Sequence, residues 1–356
     1  MNKAKVLVVD DSVVIRKVIT IALADQPDIE VIGTAPSGRI ALAKIRQCRP
    51  DIITLDMEMP DMNGLETLDA LREFPDPPKV ILCSALTTQN GPLTLDALAK
   101  GASDYVTKPS GLGMGAHTSE EFQSDLLGKI RALMGAQPQP RGSASQSSAL
   151  HLPETNRGEG KRIEVVAIGV STGGPNALAA LFADLPSSFP VPIVLVQHMP
   201  PFFTKSLAER LTGKGPIPVE EGTDGCVLTP GRAWLAPGDF HMQVAWKDSQ
   251  PVLRLNQGAP ENSCRPAVDV LFRSVAETYG AAALAVVLTG MGQDGLQGCR
   301  AIREAGGEIF VQDEASSVVW GMPGQVAKAG LANRVMPLRR MAEALRERAL
   351  RGRLGL

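Results

Sequence analysis

Five polar side chains in the N-terminal part of the sequence follow short apolar runs, and their types suit the chemistry of a phosphoryl group. They are Asp10, Asp11, Asp56, Ser84 and Lys108. Three carboxylates close together are costly unless a divalent cation neutralises them, and Mg²⁺ prefers a few carboxylates together with phosphate oxygens and water. The Lys108 ammonium and the Ser84 hydroxyl would then bind an anion held on one carboxylate. The pattern predicts Mg²⁺-assisted phosphoryl transfer to a carboxylate side chain.

Three residues in the C-terminal part have the types needed for nucleophilic acyl transfer. Ser171 follows an apolar run and precedes a helix opened by Pro175. Its hydroxyl is therefore expected beside a helix N-terminus, which favours developing negative charge. His198 ends the next apolar run, where a general base is needed, and Asp294, between flanking glycines, follows a third run and would orient the imidazole. Together these residues predict a Ser-His-Asp triad.

Two members of this triad, Ser171 and Asp294, also have another explanation. The glycines around Ser171 half-match a dinucleotide-binding loop, which requires an acid about 20 residues later at the end of the next strand. That strand ends instead in Gln197 and His198, so dinucleotide binding is disfavoured. Asp294 alone would more often be a helix N-cap. The chain order Ser, His, Asp differs from the Ser, Asp, His order of α/β-hydrolases and predicts a different fold with convergent geometry.

The remaining histidines are weaker candidates. His117 and His151 lie in or near segments rich in Gly and Ser, and we expect both to be solvated. His241, in the segment APGDFHM, is either structural or part of the substrate cleft.

The elements that must position the first group alternate regularly along the chain. Apolar runs predict five strands, and amphipathic segments between them predict five helices. The predicted strands are 5–9, 29–35, 52–55, 80–83 and 103–106, and the predicted helices are 12–24, 37–46, 64–72, 94–100 and 120–133. This alternation predicts a doubly wound, flavodoxin-like parallel sheet with its functional groups at the carboxyl ends of the strands.

The C-terminal half alternates as well, with longer loops. The predicted strands are 163–169, 192–197, 283–288 and 308–312, and the predicted helices are 175–182, 203–212, 268–278, 294–305 and 336–353. A stretch rich in Pro and Gly, 213–258, predicts short strands and hairpins. We expect a second α/β domain, Rossmann-like and doubly wound, with a β-rich insertion.

A segment rich in Gly, Pro, Ser and Gln separates the two halves. It occupies residues 135–160, and almost nothing in it can be buried, so it predicts a flexible linker. The predicted organisation is therefore a first domain over 1–134, a linker over 135–162 and a second domain over 163–356.

Composition excludes several classes of function. The chain has 356 residues, a net charge of −2 and only 4% aromatic residues, which argues against general polyelectrolyte binding to nucleic acid and against a stacking platform for single strands. The N-terminal residues do not resemble a signal peptide, and no apolar run approaches the ~18 residues that span a bilayer. The five cysteines are widely spaced and never form a CxxC pair, as expected of free thiols in a cytoplasmic protein.

Motifs in the first domain carry a family resemblance. VLVVDDS, ITLDMEMPDMNG, LCSALT and DYVTKP resemble the receiver domain of two-component response regulators over residues 3–130. The resemblance implies that Asp56 accepts a phosphoryl group from a histidine kinase and that Asp10 and Asp11 join it in supporting Mg²⁺. It also implies that Ser84 follows the phosphoryl group and that Lys108 pairs with it.

The second domain resembles a different family. GVSTGGP, VQHMP, APGDFHM, CRPAVDVLF and LTGMGQDG are similar to the catalytic domain of the CheB family of chemotaxis receptor methylesterases. The resemblance implies that Ser171 is the nucleophile, His198 the base and Asp294 its orienting partner, with the Met291 amide as an oxyanion donor. Thr172 lies next to the nucleophile, and the resemblance does not fix its role.

The two resemblances together imply a phosphorylation-regulated enzyme. Its substrates would be glutamate methyl esters and certain glutamines of methyl-accepting chemotaxis receptors, and ester hydrolysis would need no metal, since Mg²⁺ belongs to the receiver. The alternative is a non-enzymatic response regulator whose second domain binds a partner or DNA. That alternative calls for a helix-turn-helix with a clustered basic surface. The sequence shows none, and the basic C-terminal segment has the charge spacing of a solvated helix face.

Overall fold

The structure, a computed structural model, describes residues 3–85, 90–109, 119–135, 161–351 and 353. The chain divides into two compact units, Met1–Gln137 and Pro138–Leu356. Most of the predicted linker lies outside the described residues, as do His117 and His151. The predicted domain boundaries therefore stay predictions, and each unit is described by itself.

The first unit is a five-stranded parallel sheet with the strand order β2-β1-β3-β4-β5. Its strands are β1 (Ala4–Val9), β2 (Ile29–Ala35), β3 (Ile52–Asp56), β4 (Lys79–Ser84) and β5 (Asp104–Thr107), and its helices are α1 (Val13–Leu23), α2 (Gly38–Cys48), α3 (Gly64–Leu71), α4 (Asn90–Ala99) and α5 (Ser119–Gly135). This is the flavodoxin-like order, so the predicted fold class is confirmed for this unit. Helix α4 begins four residues earlier than the sequence predicts.

Local signals explain where several of these helices begin. Ser12 and Ser37 cap α1 and α2 by accepting the Ile15 and Ile40 amides. Asn63 and Glu66 form a capping box at the start of α3, with both hydrogen bonds at 2.9 Å. A capping box satisfies two helix amides that otherwise have no partner, so α3 starts immediately after the loop that follows Asp56.

The second unit is built on a seven-stranded parallel sheet with the order β14-β13-β12-β6-β7-β9-β8. Its strands are β6 (Val165–Val170), β7 (Ile193–Gln197), β8 (Val219–Glu221), β9 (Ala233–Leu235), β12 (Ala283–Val287), β13 (Glu308–Gln312) and β14 (Arg334–Met336), and the antiparallel strands β10 (His241–Lys247) and β11 (Gln250–Asn256) form a separate hairpin. The order around β6 is that of a Rossmann-type sheet with an additional edge strand, which confirms the predicted class. Ligands bind such sheets where the order reverses, between β6 and β12.

Six α-helices complete this unit. They are α6 (Gly174–Asp184), α7 (Phe203–Lys214), α8 (Val268–Tyr279), α9 (Leu296–Glu304), α10 (Met322–Lys328) and α11 (Leu338–Leu350). Large buried side chains such as Phe182, Phe203, Phe272 and Phe310 fill the space between helices and sheet. Among the helices in the described part of the chain, none is long and apolar enough to cross a membrane.

The last helix closes the second unit through a buried ion pair. Arg348 of α11 donates from Nε to both carboxylate oxygens of Glu308 on β13, at 2.8 and 2.9 Å. Its Nη2 also donates to the Lys161 carbonyl at 2.7 Å, and Arg353 donates to the Ile163 carbonyl at 2.8 Å. The C-terminal segment of this unit is thus bonded to its first described residues.

Candidate functional site

The predicted carboxylates of the first unit meet at one edge of its sheet. Asp10 follows β1, Asp56 ends β3, and one ligand oxygen from each of Asp10, Asp11 and Asp56 lies within 4.8 Å of the others. Asp10 and Asp56 are buried, whereas Asp11 is exposed. Three hard oxygen donors, one of them open to solvent, fit a Mg²⁺ ion that retains several waters.

Lys108 neutralises part of this cluster. Its Nζ lies 2.8 Å from Oδ2 of Asp10 and 2.8 Å from Oδ1 of Asp56. Burial disfavours the ammonium, but the bonds to the two carboxylates outweigh it and raise the pKa of Lys108 above its usual value. Burial raises the pKa of Asp56, and Lys108 only partly opposes this. Lys108 therefore stays charged and lies in direct contact with Asp56.

Ser84 lies beside this group at the end of β4. Asp56 is opposite Cys83 in the sheet register, so Ser84 is one residue beyond Asp56 on the neighbouring strand. The Lys108 amide donates to the Ser84 carbonyl at 2.8 Å, and Thr94 of α4 donates to the Ser84 hydroxyl at 3.0 Å. The structure thus brings all five predicted residues to one edge. Thr94 is a partner that the sequence did not reveal.

In the second unit, Ser171 and His198 follow adjacent strands. Val170 and Gln197 are opposite each other in the register of β6 and β7, and the His198 amide donates to the Val170 carbonyl at 3.2 Å. The chain then turns sharply: Gly173 has a φ of 77°, and α6 begins at Gly174. Ser171 therefore lies in the turn just ahead of the α6 N-terminus, as predicted.

Asp294 contacts the His198 imidazole directly. Nε2 of His198 lies 2.7 Å from Oδ2 of Asp294, although 96 residues separate them in the sequence. Their side chains are 13% and 2% exposed. Burial disfavours the Asp294 charge, but the bonds from His198 and from backbone amides outweigh it and lower the pKa of Asp294. Burial also disfavours the imidazolium, but Cys264 and Asp294 raise the pKa of His198 above its usual 6.5.

Asp294 lies outside the helix that it was predicted to begin. Gly295, with a φ of 90°, separates it from α9, which starts at Leu296. Because this left-handed glycine turns the chain, the Asp294 carboxylate lies against His198 and accepts the Gly295 amide at 2.9 Å. The structure therefore pairs His198 with Asp294, and Ser171 follows the last residue of the neighbouring strand β6.

The segment that contains Met291 lies directly against the nucleophile turn. A β-carbon on Gly290 would lie 2.8 Å from Cβ of Ser171, so only glycine allows this approach. The Ser171 amide donates to the Thr289 carbonyl at 3.0 Å, and the Thr289 hydroxyl donates to the Thr172 carbonyl at 2.9 Å. Met291 thus lies two residues after Thr289, whose carbonyl accepts the Ser171 amide. Thr172 is buried and contributes its carbonyl to this junction.

Two buried glutamines form hydrogen bonds at the strand ends next to Ser171, and neither was predicted from the sequence as a site residue. Gln197 donates from Nε2 to the carbonyls of Ser171 and His198, at 3.0 and 3.1 Å. Gln312 accepts the Thr289 amide at 2.8 Å. Gln197 ends an otherwise apolar strand, and Gln312 ends a strand that is apolar apart from Glu308 at its start. A buried amide requires hydrogen-bond partners. A glutamine at the end of a buried strand was therefore the sequence signal that could have indicated these residues.

His241 is a structural residue. It is buried, its Nε2 lies 3.0 Å from the Ala259 carbonyl, and its Nδ1 accepts the Ala267 amide at 3.2 Å. Both ring nitrogens are engaged by the backbone, which decides between the two roles that the sequence left open.

Comparisons with known proteins agree with this arrangement. Residues 6–114 match the family model described as response regulator receiver domain, and residues 166–345 match that described as CheB methylesterase. A protein-glutamate methylesterase/protein-glutamine glutaminase of Trichodesmium erythraeum is 50% identical over 347 residues, which are 97% of this chain and 99% of the relative. One of the same name from Nocardioides sp. is 48% identical over 362 residues, covering 100% of this chain and 98% of the relative.

A solved structure resembles the second unit. The crystal structure of the Thermotoga maritima CheB methylesterase catalytic domain is 42% identical, with a TM-score of 0.51. The match covers 52% of this chain and 99% of that domain.

Proposed function

The chain belongs to the CheB family of protein-glutamate methylesterases/protein-glutamine glutaminases, and from this premise we propose the roles of its residues and its partners. It is a hydrolase that combines a receiver domain with a catalytic methylesterase domain, which sets aside the alternative of a non-enzymatic output domain. The proposed substrates are glutamate methyl esters, and certain glutamines, of methyl-accepting chemotaxis receptors.

The catalytic roles rest on one observation, the 2.7 Å bond between His198 and Asp294 beside the Ser171 turn. Because Asp294 engages Nε2, Nδ1 is the ring nitrogen that takes the proton of Ser171. The hydroxyl oxygen of Ser171 then attacks the side-chain carbonyl carbon of the substrate and forms a tetrahedral intermediate. The positive end of α6 and the Met291 amide would stabilise its oxyanion.

Collapse of this intermediate explains both activities. The carbonyl re-forms, the bond to the leaving group breaks, and His198 returns its proton to methanol from an ester or to ammonia from an amide. Water, activated by the same His198, then hydrolyses the acyl-Ser171 ester to free glutamate. Asp294 holds the ring in one tautomer throughout both halves of the reaction.

The first unit supplies the control. We propose that Asp56 accepts a phosphoryl group from a chemotaxis histidine kinase, that Lys108 pairs with the new charge and that Ser84 hydrogen-bonds to it. Asp10, Asp11 and Asp56 would hold Mg²⁺, which when bound neutralises negative charge on the transferred group. With chemotaxis receptors as its substrates and a chemotaxis histidine kinase as its phosphodonor, we propose that the protein acts in the cytoplasm.

The test is release of methanol from methylated receptor, with and without a small phosphodonor and Mg²⁺. We expect methanol release, faster after phosphorylation, and ammonia release from receptor that carries the susceptible glutamines. The Ser171→Ala variant should release no methanol while Asp56 is still phosphorylated. Methanol release by this variant would show that the triad assignment is wrong.

A further inference from the structure

A tight turn beside the active site carries a side chain with no assigned role. Glu261 and Cys264 pair through two backbone hydrogen bonds, of 3.1 and 2.9 Å, and the two residues between them, Asn262 and Ser263, have φ angles of 51° and 61°. This left-handed pair is a type I′ turn, which favours Asn at its first central position. Glu261 also pairs with Arg273 of α8 at 2.5 Å, which fixes the turn against that helix.

The Asn262 amide bridges two buried carboxylates. Its Nδ2 lies 3.0 Å from Oδ2 of Asp269 and 3.0 Å from Oδ1 of Asp294. An amide nitrogen carries two hydrogens, so each carboxylate receives one. Asp269 is itself held by the Gly298 amide at 2.6 Å and is only 3% exposed, which makes it a fixed anchor. Asn262 is exposed, so its contribution is not that of a core-packing residue.

The remaining partners of Asp294 show what this bridge adds. Its Oδ1 also accepts the amides of Asp269 and Gly295, both at 2.9 Å, and its Oδ2 accepts the Val268 amide at 2.7 Å. Within the described part of the chain, Asn262 and His198 are the side chains bonded to this carboxylate. Three backbone amides from residues near Asp294 and Asp269 bind the carboxylate. Asn262 adds a side-chain donor that comes from the separate Glu261–Cys264 turn. Without its amide, the Asp269 and Asp294 carboxylates would lose a hydrogen-bond donor that they share.

We propose that Asn262, anchored by Asp269, is a positioning residue that fixes the Asp294 carboxylate and thereby aligns His198 with Ser171. The proposal rests on the function proposed above, since it assigns Asn262 to the same acyl-transfer site. Because Asn262 acts through Asp294 and does not touch the substrate, loss of its amide should lower kcat and leave substrate binding unchanged.

The test compares three variants of the full chain in methanol release from methylated receptor. Asn262→Gly removes the amide and tolerates the left-handed φ. Asn262→Asp keeps the shape and replaces the donor by an acceptor. Asp248→Gly is the matched control, because Asp248 has a φ of 49° at the equivalent position of the type I′ turn between β10 and β11.

We expect kcat to fall by about 10- to 100-fold in both Asn262 variants, with KM unchanged, because small misplacements of a catalytic group cost this much. Asp248→Gly should match the wild type. In Asn262→Asp the added negative charge should raise the pKa of His198 further, since Cys264 and Asp294 already raise it. The acid limb of kcat/KM should therefore move to higher pH.

The outcomes separate the two proposals. A wild-type protein that releases no methanol would overturn the proposed function. An active wild type with Asn262→Gly and Asn262→Asp both equal to the Asp248→Gly control would overturn the role of Asn262 alone. If Asn262→Gly fails to fold, the isosteric Asn262→Asp variant decides by the same two readouts.

Discussion

His198 and Asp294 meet across the end of the strand that carries Ser171. His198 follows β7 and Asp294 lies beyond β12, and these strands flank β6 on either side. Their side chains meet at 2.7 Å. Because β6 leads to Ser171 and its two neighbours lead to His198 and Asp294, the geometry of the proposed triad depends on the parallel register of three strands and, for Asp294, on the turn at Gly295.

Replacing Asp294 by Asn should lower kcat for methanol release by about 10³- to 10⁴-fold, because the amide leaves His198 in the wrong tautomer. The variant should fold, since the asparagine oxygen can still accept the Asp269 and Gly295 amides and only the Val268 amide loses its acceptor. Asp248→Asn, in an exposed turn, is the control and should keep wild-type activity. A loss of less than about tenfold in Asp294→Asn would contradict the orienting role.

The pH dependence of the reaction follows from the same pair. The folded-state pKa of His198 is raised above 6.5, so the ion pair stabilises the fold fully below pH 6.5 and this stabilisation is lost as pH rises through the folded pKa. The base must be neutral to act, so kcat/KM should rise with pH along a limb centred above 6.5. Asp294→Asn removes one cause of the shift and should move the limb downwards. Steady-state rates of methanol release from about pH 6 upwards, measured for the wild type and for Asp294→Asn, test both expectations.

Phosphorylation of the first unit should require both Asp56 and the neighbouring carboxylates. With a small phosphodonor and Mg²⁺, the intact mass of the wild type should increase by one phosphoryl group, and chelation of Mg²⁺ should prevent it. Asp56→Asn should gain no mass, and Asp10→Asn should need more Mg²⁺, because a buried carboxylate donor is lost. The exposed Asp25→Asn should behave as the wild type. Normal labelling of Asp56→Asn would place the acceptor elsewhere.

Two glycine substitutions should have opposite effects. A β-carbon at Gly174 would overlap Oε1 of Gln197, the side chain that holds the carbonyls of Ser171 and His198. Gly174→Ala should therefore reduce methanol release and lower the free energy of unfolding by about 1–3 kcal/mol. At Gly213, inside α7, a β-carbon meets open space. Gly213→Ala should therefore raise the free energy of unfolding by about 0.4–1 kcal/mol and leave methanol release unchanged. Thermal unfolding with parallel rate measurements tests both.

The buried ion pair between Arg348 and Glu308 should stabilise the second unit strongly. Arg348→Met leaves the Glu308 charge buried and unpaired, which costs about 3–5 kcal/mol. Arg232→Met breaks an exposed ion pair with Glu220 and should cost at most about 1 kcal/mol. All three tryptophans of the chain lie in the second unit, so tryptophan fluorescence during urea unfolding reports on that unit. Equal effects of the two substitutions would contradict this ranking.

Much of both sites follows from the sequence because strand ends are easy to read. Asp10, Asp56 and His198 each follow a short apolar run, and parallel strands bring such ends to one edge. The sequence predicts short strands within 213–258, but the three-residue strands β8 and β9 carry too little periodicity to predict their bounds, and β14 was not predicted. The places of all three in the sheet depend on neighbours distant in the chain. Asn262 shows the same limit: its partners are 7 and 32 residues away, and only the folded turn brings them together.

The contacts of α11 have a consequence for how the second unit can be handled as a part. Because Arg348 and Arg353 bond to the carbonyls of Lys161 and Ile163, the first and last described segments of this unit lie side by side. A module whose ends meet can be grafted into a surface loop of another protein, or reclosed with new termini elsewhere, without stretching its backbone. The contacts that pack α11 against the sheet therefore also favour transfer of the catalytic unit into another protein.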